Sequence, residues 1–262
     1  MLIQFLPALL SQESTLPQDF LRLKQSDISD YIRLIVIDWL TQLHITLCCG
    51  PGTLFLTVAI LDRYLATETV SRSTIQMVAS AALLLATKYE EDMSEKRPTI
   101  SELTAWSANA YSQSALKRME CWLFKKLNYD LGFSHTLHFA AVFIEHADEL
   151  LQEQLLYYLQ RTLETTQFAD VRPSILAAAA CELVGWKIDE QIFEECKIPE
   201  LKEICERLEK FLSEPLDPKF TFLHQSYKSL GHPSNGKIKA IPLVSASTSS
   251  YYNTRILDTS HS

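Results

Sequence analysis

The chain has 262 residues, with 24 lysines and arginines against 32 aspartates and glutamates, a formal net charge of −8. A hydrophobic share of 47% and a charged share of 21% exclude a disordered or collagen-like chain, and the length accommodates one large domain or two smaller ones. Six glycines, where average usage gives about 18, disfavour turn-rich all-β folds and Gly-rich nucleotide loops, which need positive φ, and point to an all-α protein.

The first ten residues, Met1 to Leu10, are mostly apolar but lack the basic residues that precede a secretory core. They are read as a short helix packing on the main domain, within an extension over residues 1–29. From there glycine and proline punctuate the chain at Gly50-Pro51-Gly52, Pro98, Gly132, Pro173, Gly185, Pro199, Pro215 and Pro218. Helices stop at such residues. The spacing predicts helices over 30–47, 53–66, 72–91, 99–109 and 112–127. A second set is predicted over 135–147, 150–167, 173–187, 190–196, 199–212 and 217–228.

Capping residues support the starts. Ser29 or Asp30 can cap the first helix, Ser71 the third and Ser112 the fifth, because their oxygens accept first-turn N–H groups. Thr99 with Glu102 three residues on has the capping-box pattern. Gly50-Pro51-Gly52 is read as an interhelical turn that closes the first helix.

The stretch Ile75 to Ala86 is apolar except for Gln76 and Ser80. A helix apolar all round must be surrounded by others. The same composition returns in Ile175 to Cys181, and an amphipathic helix follows each. Leu116, Met119, Leu123 and Leu127 correspond to Leu201, Ile204, Leu208 and Leu212. Two helical domains, each wrapped around a small-residue central helix, explain both echoes. The expected domains are 30–133 and 134–228, with a flexible Ser-rich tail over 229–262.

Several chemistries find no support. The longest unbroken apolar run, Ile175 to Cys181, is far shorter than the roughly 20 residues of a membrane span. The acidic balance argues against nucleic acid, whose binders cluster Lys and Arg. The six cysteines form no C-x-x-C pair and read as small buried hydrophobes, with no metal site. His135 and His138 stand three apart but read as ordinary histidines, and Glu90-Glu91-Asp92 as a solvated helix end. Phosphate loops and hydrolase or metalloprotease motifs are absent, so no enzyme and no cofactor is expected.

Four ordered motifs carry a resemblance. Arg33 to Leu40 (RLIVIDWL) resembles the element that opens the cyclin box, and Leu56 to Leu65 (LTVAILDRYL) resembles the next. Ala81 to Glu91 (AALLLATKYEE) is similar to the family's A-x-L-L-I-A-S-K-Y-E-E, and Arg118 to Leu127 to its x-M-E-x-x-I-L-x-x-L helix. Order and spacing match over residues 26–133, with wording nearest to mitotic A/B-like cyclins. The second half resembles a carboxy-terminal cyclin domain more loosely, through Pro173 to Ala179.

The resemblance implies a regulatory subunit of a cyclin-dependent kinase, acting in the nucleus or cytoplasm in cell-cycle control. By motif position, Lys88 and Glu120 match a pair that grips backbone groups near the kinase's αC helix, with Tyr89, Phe124, Tyr129 and Leu131 as apolar contacts. Each charge sits on an otherwise apolar helix, where a lone charge costs desolvation. On the residues alone the pair reads as a helix-to-helix salt bridge, and both roles can hold together. Arg33, Asp38 and Asp62 are expected to form internal ion pairs or anchor helices.

Ile35, Trp39, Gln42, Ile75 and Gln76 match a groove where many cyclins dock short R-x-L-type substrate or inhibitor peptides. On residues alone, this stripe fits core equally well. Gln42 and Ala108 stand where mitotic cyclins carry acids, so selection for a basic peptide anchor should be weaker. Ile32 replaces the usual Met. No R-x-x-L-x-x-x-x-N destruction box occurs in the first 29 residues, so that turnover route is not expected. The alternative is a cyclin-fold adaptor of the transcription machinery, which basic patches would mark and which the acidic charge disfavours.

Overall fold

The computed structural model of the protein describes residues 2–91, 97–198, 201–215 and 219–220. The protein is all-α, and the described residues contain no β-strand. A 3₁₀ turn at Leu2–Phe5 leads into α1 (Leu6–Ser11) and α2 (Phe20–Lys24). Then come α3 (Asp30–Thr46), α4 (Pro51–Thr67), α5 (Ile75–Glu90), α6 (Ile100–Trp106) and α7 (Gln113–Lys126). The second half holds α8 (Thr136–Phe143), α9 (Glu149–Thr162), α10 (Pro173–Leu183), α11 (Glu190–Glu195) and α12 (Lys202–Ser213). None of these helices is long and apolar enough to cross a membrane.

Two compact units result. Residues 19–132 form one; residues 2–18 join the chain from Phe133 onward in the other. In the first unit α5 is the centre, packed by α3, α4 and α7. Its alanines 79, 81, 82 and 86 are fully buried, and the absence of longer side chains lets the neighbours approach closely. In the second unit α10 plays that part against α8, α9 and α12, with Ala177 to Cys181 fully buried. Leu116 and Leu123 of α7 and Leu208 of α12 are fully buried, each on the helix that packs against its unit's central helix.

The amino-terminal stretch departs from the single extension expected over 1–29. Leu6 is fully buried, and α1 packs on α8. The Glu13 carboxylate accepts the Ser174 N–H at 2.6 Å in the first turn of α10 and lies 3.5 Å from Arg172. A carboxylate there satisfies a helix donor and complements the dipole. The Leu16 N–H donates to Ala169 O at 2.8 Å. Phe20 and Leu21, by contrast, are buried on the first unit, where α2 packs on α4. Gln25 donates to Leu65 O and Glu68 O and accepts from the Val70 N–H.

Caps fall where the side chains predict them at three helices. Ser29 accepts the Ile32 N–H, Ser112 accepts the Ala115 N–H, and Thr99 with Glu102 forms a reciprocal capping box. At α5 the prediction misses. Ser71 instead closes a turn, its carbonyl accepting from Thr74 and Ile75, and the helix starts at Ile75. At the Gly50-Pro51-Gly52 turn the break is one residue wide: Gly50 is the N-cap, and Pro51 with Gly52 already belong to α4. Proline suits a first helical position because its φ is set and its missing N–H has no helical partner there. A Cβ at Gly52 would lie 2.9 Å from the Glu90 carboxylate, so a larger residue there would displace that side-chain end. In the second half α10 ends at Leu183, and Gly185 takes a φ of 77°. Of the helix expected over 217–228, Lys219 and Phe220 are described and are not helical. The rest of it and the tail over 229–262 lie outside the described residues.

Candidate functional site

Lys88 is in the last turn of α5 and Glu120 is near the middle of α7. Because these helices pack against each other, the Lys88 ammonium reaches the Glu120 carboxylate and forms an ion pair. Glu120 is 10% exposed and Lys88 50% exposed, so the pair has one buried and one wet end. Leu85, Tyr89, Cys121, Phe124 and Leu131 complete the lining of an open hollow of about 380 Å³ around the pair.

Two exposed aromatic rings mark this hollow. Tyr89 is 54% exposed and Tyr129 is 64% exposed. Asn128 and Tyr129 both have positive φ, 54° and 62°, a conformation uncommon outside glycine and costly for a bulky ring. The Tyr129 N–H donates to Phe124 O at 2.9 Å, and the Tyr129 ring meets Phe124 edge-on at 5.4 Å. The turn thus holds a large side chain at the surface. Leu131 is buried below. All six residues that the resemblance marks for kinase contact lie in this one unit, and all but Tyr129 line the hollow.

Arg33 and Asp62 join α3 to α4. Arg33 is 2% exposed, and its Nε and Nη2 each donate to Asp62 at 2.7 Å, a bidentate pair. Asp38 is half-buried on α3. Of the groove residues, Ile35 is 46% exposed, Trp39, Gln42 and Gln76 are half-buried, and Ile75 is 4% exposed and belongs to the core.

The structure corrects the reading of Glu90-Glu91 as a solvated helix end. The Glu91 carboxylate accepts from the Gly50 N–H at 2.7 Å and from the Thr53 hydroxyl, capping α4 from across the sequence. Arg97 donates to its carbonyl. Glu90 is half-buried, and burial followed by the neighbouring Glu91 charge raises its carboxyl above the ordinary range. Asp92 lies outside the described residues. Nothing local in the sequence announces a cap supplied 41 residues away.

His44 is buried with Nε2 2.8 Å from Gly50 O, and burial lowers its pKa. In the second unit His135 and His138 stack at 3.7 Å, and burial pushes His138 down to about 4. Cys49, Cys181 and Cys196 are buried as expected, with burial raising Cys181 to about 12 and Cys196 to about 11. Cys121 departs from that reading and is exposed at the hollow.

Fold and site together describe an all-α protein with a charged pair at the edge of an apolar hollow. The family profile "Cyclin, N-terminal domain" matches residues 4–132. The chain is 32% identical over 214 residues to the G2/mitotic-specific cyclin-B2 of Bos taurus, covering 78% of this chain and 53% of that protein. It is 35% identical over 176 residues to the G2/mitotic-specific cyclin-B of Arbacia punctulata, covering 66% and 42%. Among solved structures it is similar to a viral cyclin from herpesvirus saimiri, with a TM-score of 0.62 at 19% identity over 81% of this chain and 95% of the other. A chain of the yeast RNA Pol II CTD kinase CTDK-1 complex gives a TM-score of 0.59 at 17% identity, covering 86% and 84%. The protein belongs to the cyclin family, and both curated relatives named above are B-type cyclins. It spans about half the length of those relatives.

Proposed function

We propose that the chain is a regulatory subunit that binds and activates a cyclin-dependent serine/threonine kinase in cell-cycle progression, with no catalysis of its own. The observation that carries this reading is the Lys88–Glu120 pair set in a hollow flanked by exposed Tyr89 and Tyr129. Apolar area with exposed aromatics supplies binding energy, and the pair supplies directional hydrogen bonds at its wet end. The partner's αC helix fits such a surface through its own apolar face and free backbone groups.

A kinase is active when its αC glutamate pairs with the β3 lysine that holds the ATP phosphates. A subunit that binds αC only in that position shifts the population toward it. Moving an equilibrium from 1:99 to 99:1 takes about 5.5 kcal/mol of differential affinity, within reach of an interface of standard size. The half-buried Trp39 beside exposed Ile35 supports a secondary role in docking short peptides, with weak selection for a basic anchor because Gln42 is uncharged. Action in the nucleus or cytoplasm, without nucleic acid or membrane, follows from the same reading.

Copurification of the chain from its source cells tests the proposal. A kinase that elutes with it and loses activity when it is removed is the expected result. Recovery of no protein kinase contradicts it.

A further inference from the structure

We infer that the outward face of α7, which adjoins the Lys88–Glu120 hollow at Cys121, is a second docking surface, for an acidic peptide segment with carboxylates on either side of an apolar residue. Ser114, Lys117, Arg118, Cys121, Trp122 and Lys125 line an open hollow of about 540 Å³ on that face. Their spacing places them along one side of the helix. Lys117, Arg118 and Lys125 are exposed, and among the described residues none of the three pairs with a carboxylate. The single acid of α7, Glu120, turns inward to Lys88.

Helix electrostatics explain only part of this. Cations in the last turn complement the dipole, which accounts for Lys125 and Lys126. Lys117 and Arg118 stand in the first half of the helix, where a cation gains nothing from the dipole. Lys126 is already occupied, 2.7 Å from Glu68 and 4.8 Å over the Trp122 ring. Trp122 is nevertheless 46% exposed, so an apolar floor lies open among three cations without partners. On a chain of net charge −8 this concentration of positive charge is selective for anions.

The spacing sets the ligand. Eight helical residues separate Lys117 from Lys125, about 12 Å along the axis. An extended segment covers that span in about four residues. The segment therefore presents carboxylates some four residues apart, with an aliphatic or aromatic side chain between them over Cys121 and Trp122. This surface does not depend on the kinase reading.

Fluorescence polarisation on the full chain tests it. The probe is a labelled peptide with an Asp-Glu pair on each side of Ser-Leu-Ser, compared with its Asn-Gln counterpart and with a phosphoserine version lacking the carboxylates. The acidic peptide should bind about tenfold more tightly than the neutral one, and weaken as salt is raised. Lys117→Glu with Arg118→Glu and Lys125→Glu should abolish that preference, and the three Gln changes should reduce it, with helical content unchanged in both. Lys88→Ala with Glu120→Ala should leave it intact, which separates this surface from the kinase site. Equal binding of acidic and neutral peptides, indifference to the Gln changes, or binding of the phosphoserine peptide alone overturns the inference.

Discussion

Between residues 19 and 132 the chain carries 13 acidic and 12 basic side chains; between 133 and 220 it carries 17 and 8. Both units repeat one helical plan, an alanine-rich centre within amphipathic helices, yet nearly all the net negative charge falls in the second. Exposed apolar side chains divide the opposite way. Seven of the nine large hydrophobic residues exposed among the described residues lie in 19–132. A shared fold thus carries two different surfaces: the first unit is near neutral and sticky, suited to partners, and the second is acidic and largely closed. The interiors differ too. In the first unit the buried Arg33–Asp62 pair ties one helix to another; the buried Arg161–Glu164 pair of the second is local to the end of α9, and that unit is completed by chain from the amino terminus.

These differences can be broken one at a time. Arg33→Ala leaves Asp62 nearly buried without its bidentate partner, and should destabilise the first unit by about 4 kcal/mol in urea unfolding. Leu6→Ala removes a fully buried side chain between α1 and α8, and should cost the second unit about 3 kcal/mol. Hydrogen exchange assigns each loss to its unit. If Leu6→Ala loosens α5 instead of α8 and α10, the division of the amino terminus is wrong.

A pH change sharpens the comparison further. His138 titrates near 4 when folded, against an ordinary 6.5, so between those values the unfolded chain binds more protons. Its contribution is present above pH 6.5 and is lost as pH falls toward 4, about 3 kcal/mol at most. His44 acts in the same direction in the first unit. His138→Gln should flatten the acid limb of the stability profile, and an unchanged limb would locate the effect elsewhere. The smallest effect on stability is expected from Lys88→Ala with Glu120→Ala. The pair is half exposed, and removing both partners strands no charge, so thermal unfolding should shift by less than about 1 kcal/mol.

Much of the fold was legible because its strongest signals are local. The apolar runs at 75–86 and 175–181 can only be central helices, and Ser29, Thr99 and Ser112 announce helix starts through side-chain oxygens within reach of their own first turns. What the sequence hid is non-local. Glu91 caps α4 from 41 residues away, and Glu13 caps α10 from 161 residues away. A carboxylate in a run of acids looks solvated until the fold supplies the donor. At the candidate site the Lys88–Glu120 pairing was legible from motif positions 32 residues apart. The exposure of Cys121 and Trp122 was masked by residue type: a thiol and an indole are ordinarily buried, although both fall off the Leu116, Leu123, Leu127 stripe, on the side of Lys117, Arg118 and Lys125.

Reconstitution with a monomeric cyclin-dependent kinase tests the central claim most directly. Purified chain should switch on phosphorylation of a peptide substrate, and Lys88→Ala with Glu120→Ala should raise the concentration needed by about tenfold or more at unchanged helical content. A well-folded wild-type chain that neither binds nor stimulates any such kinase would contradict the account.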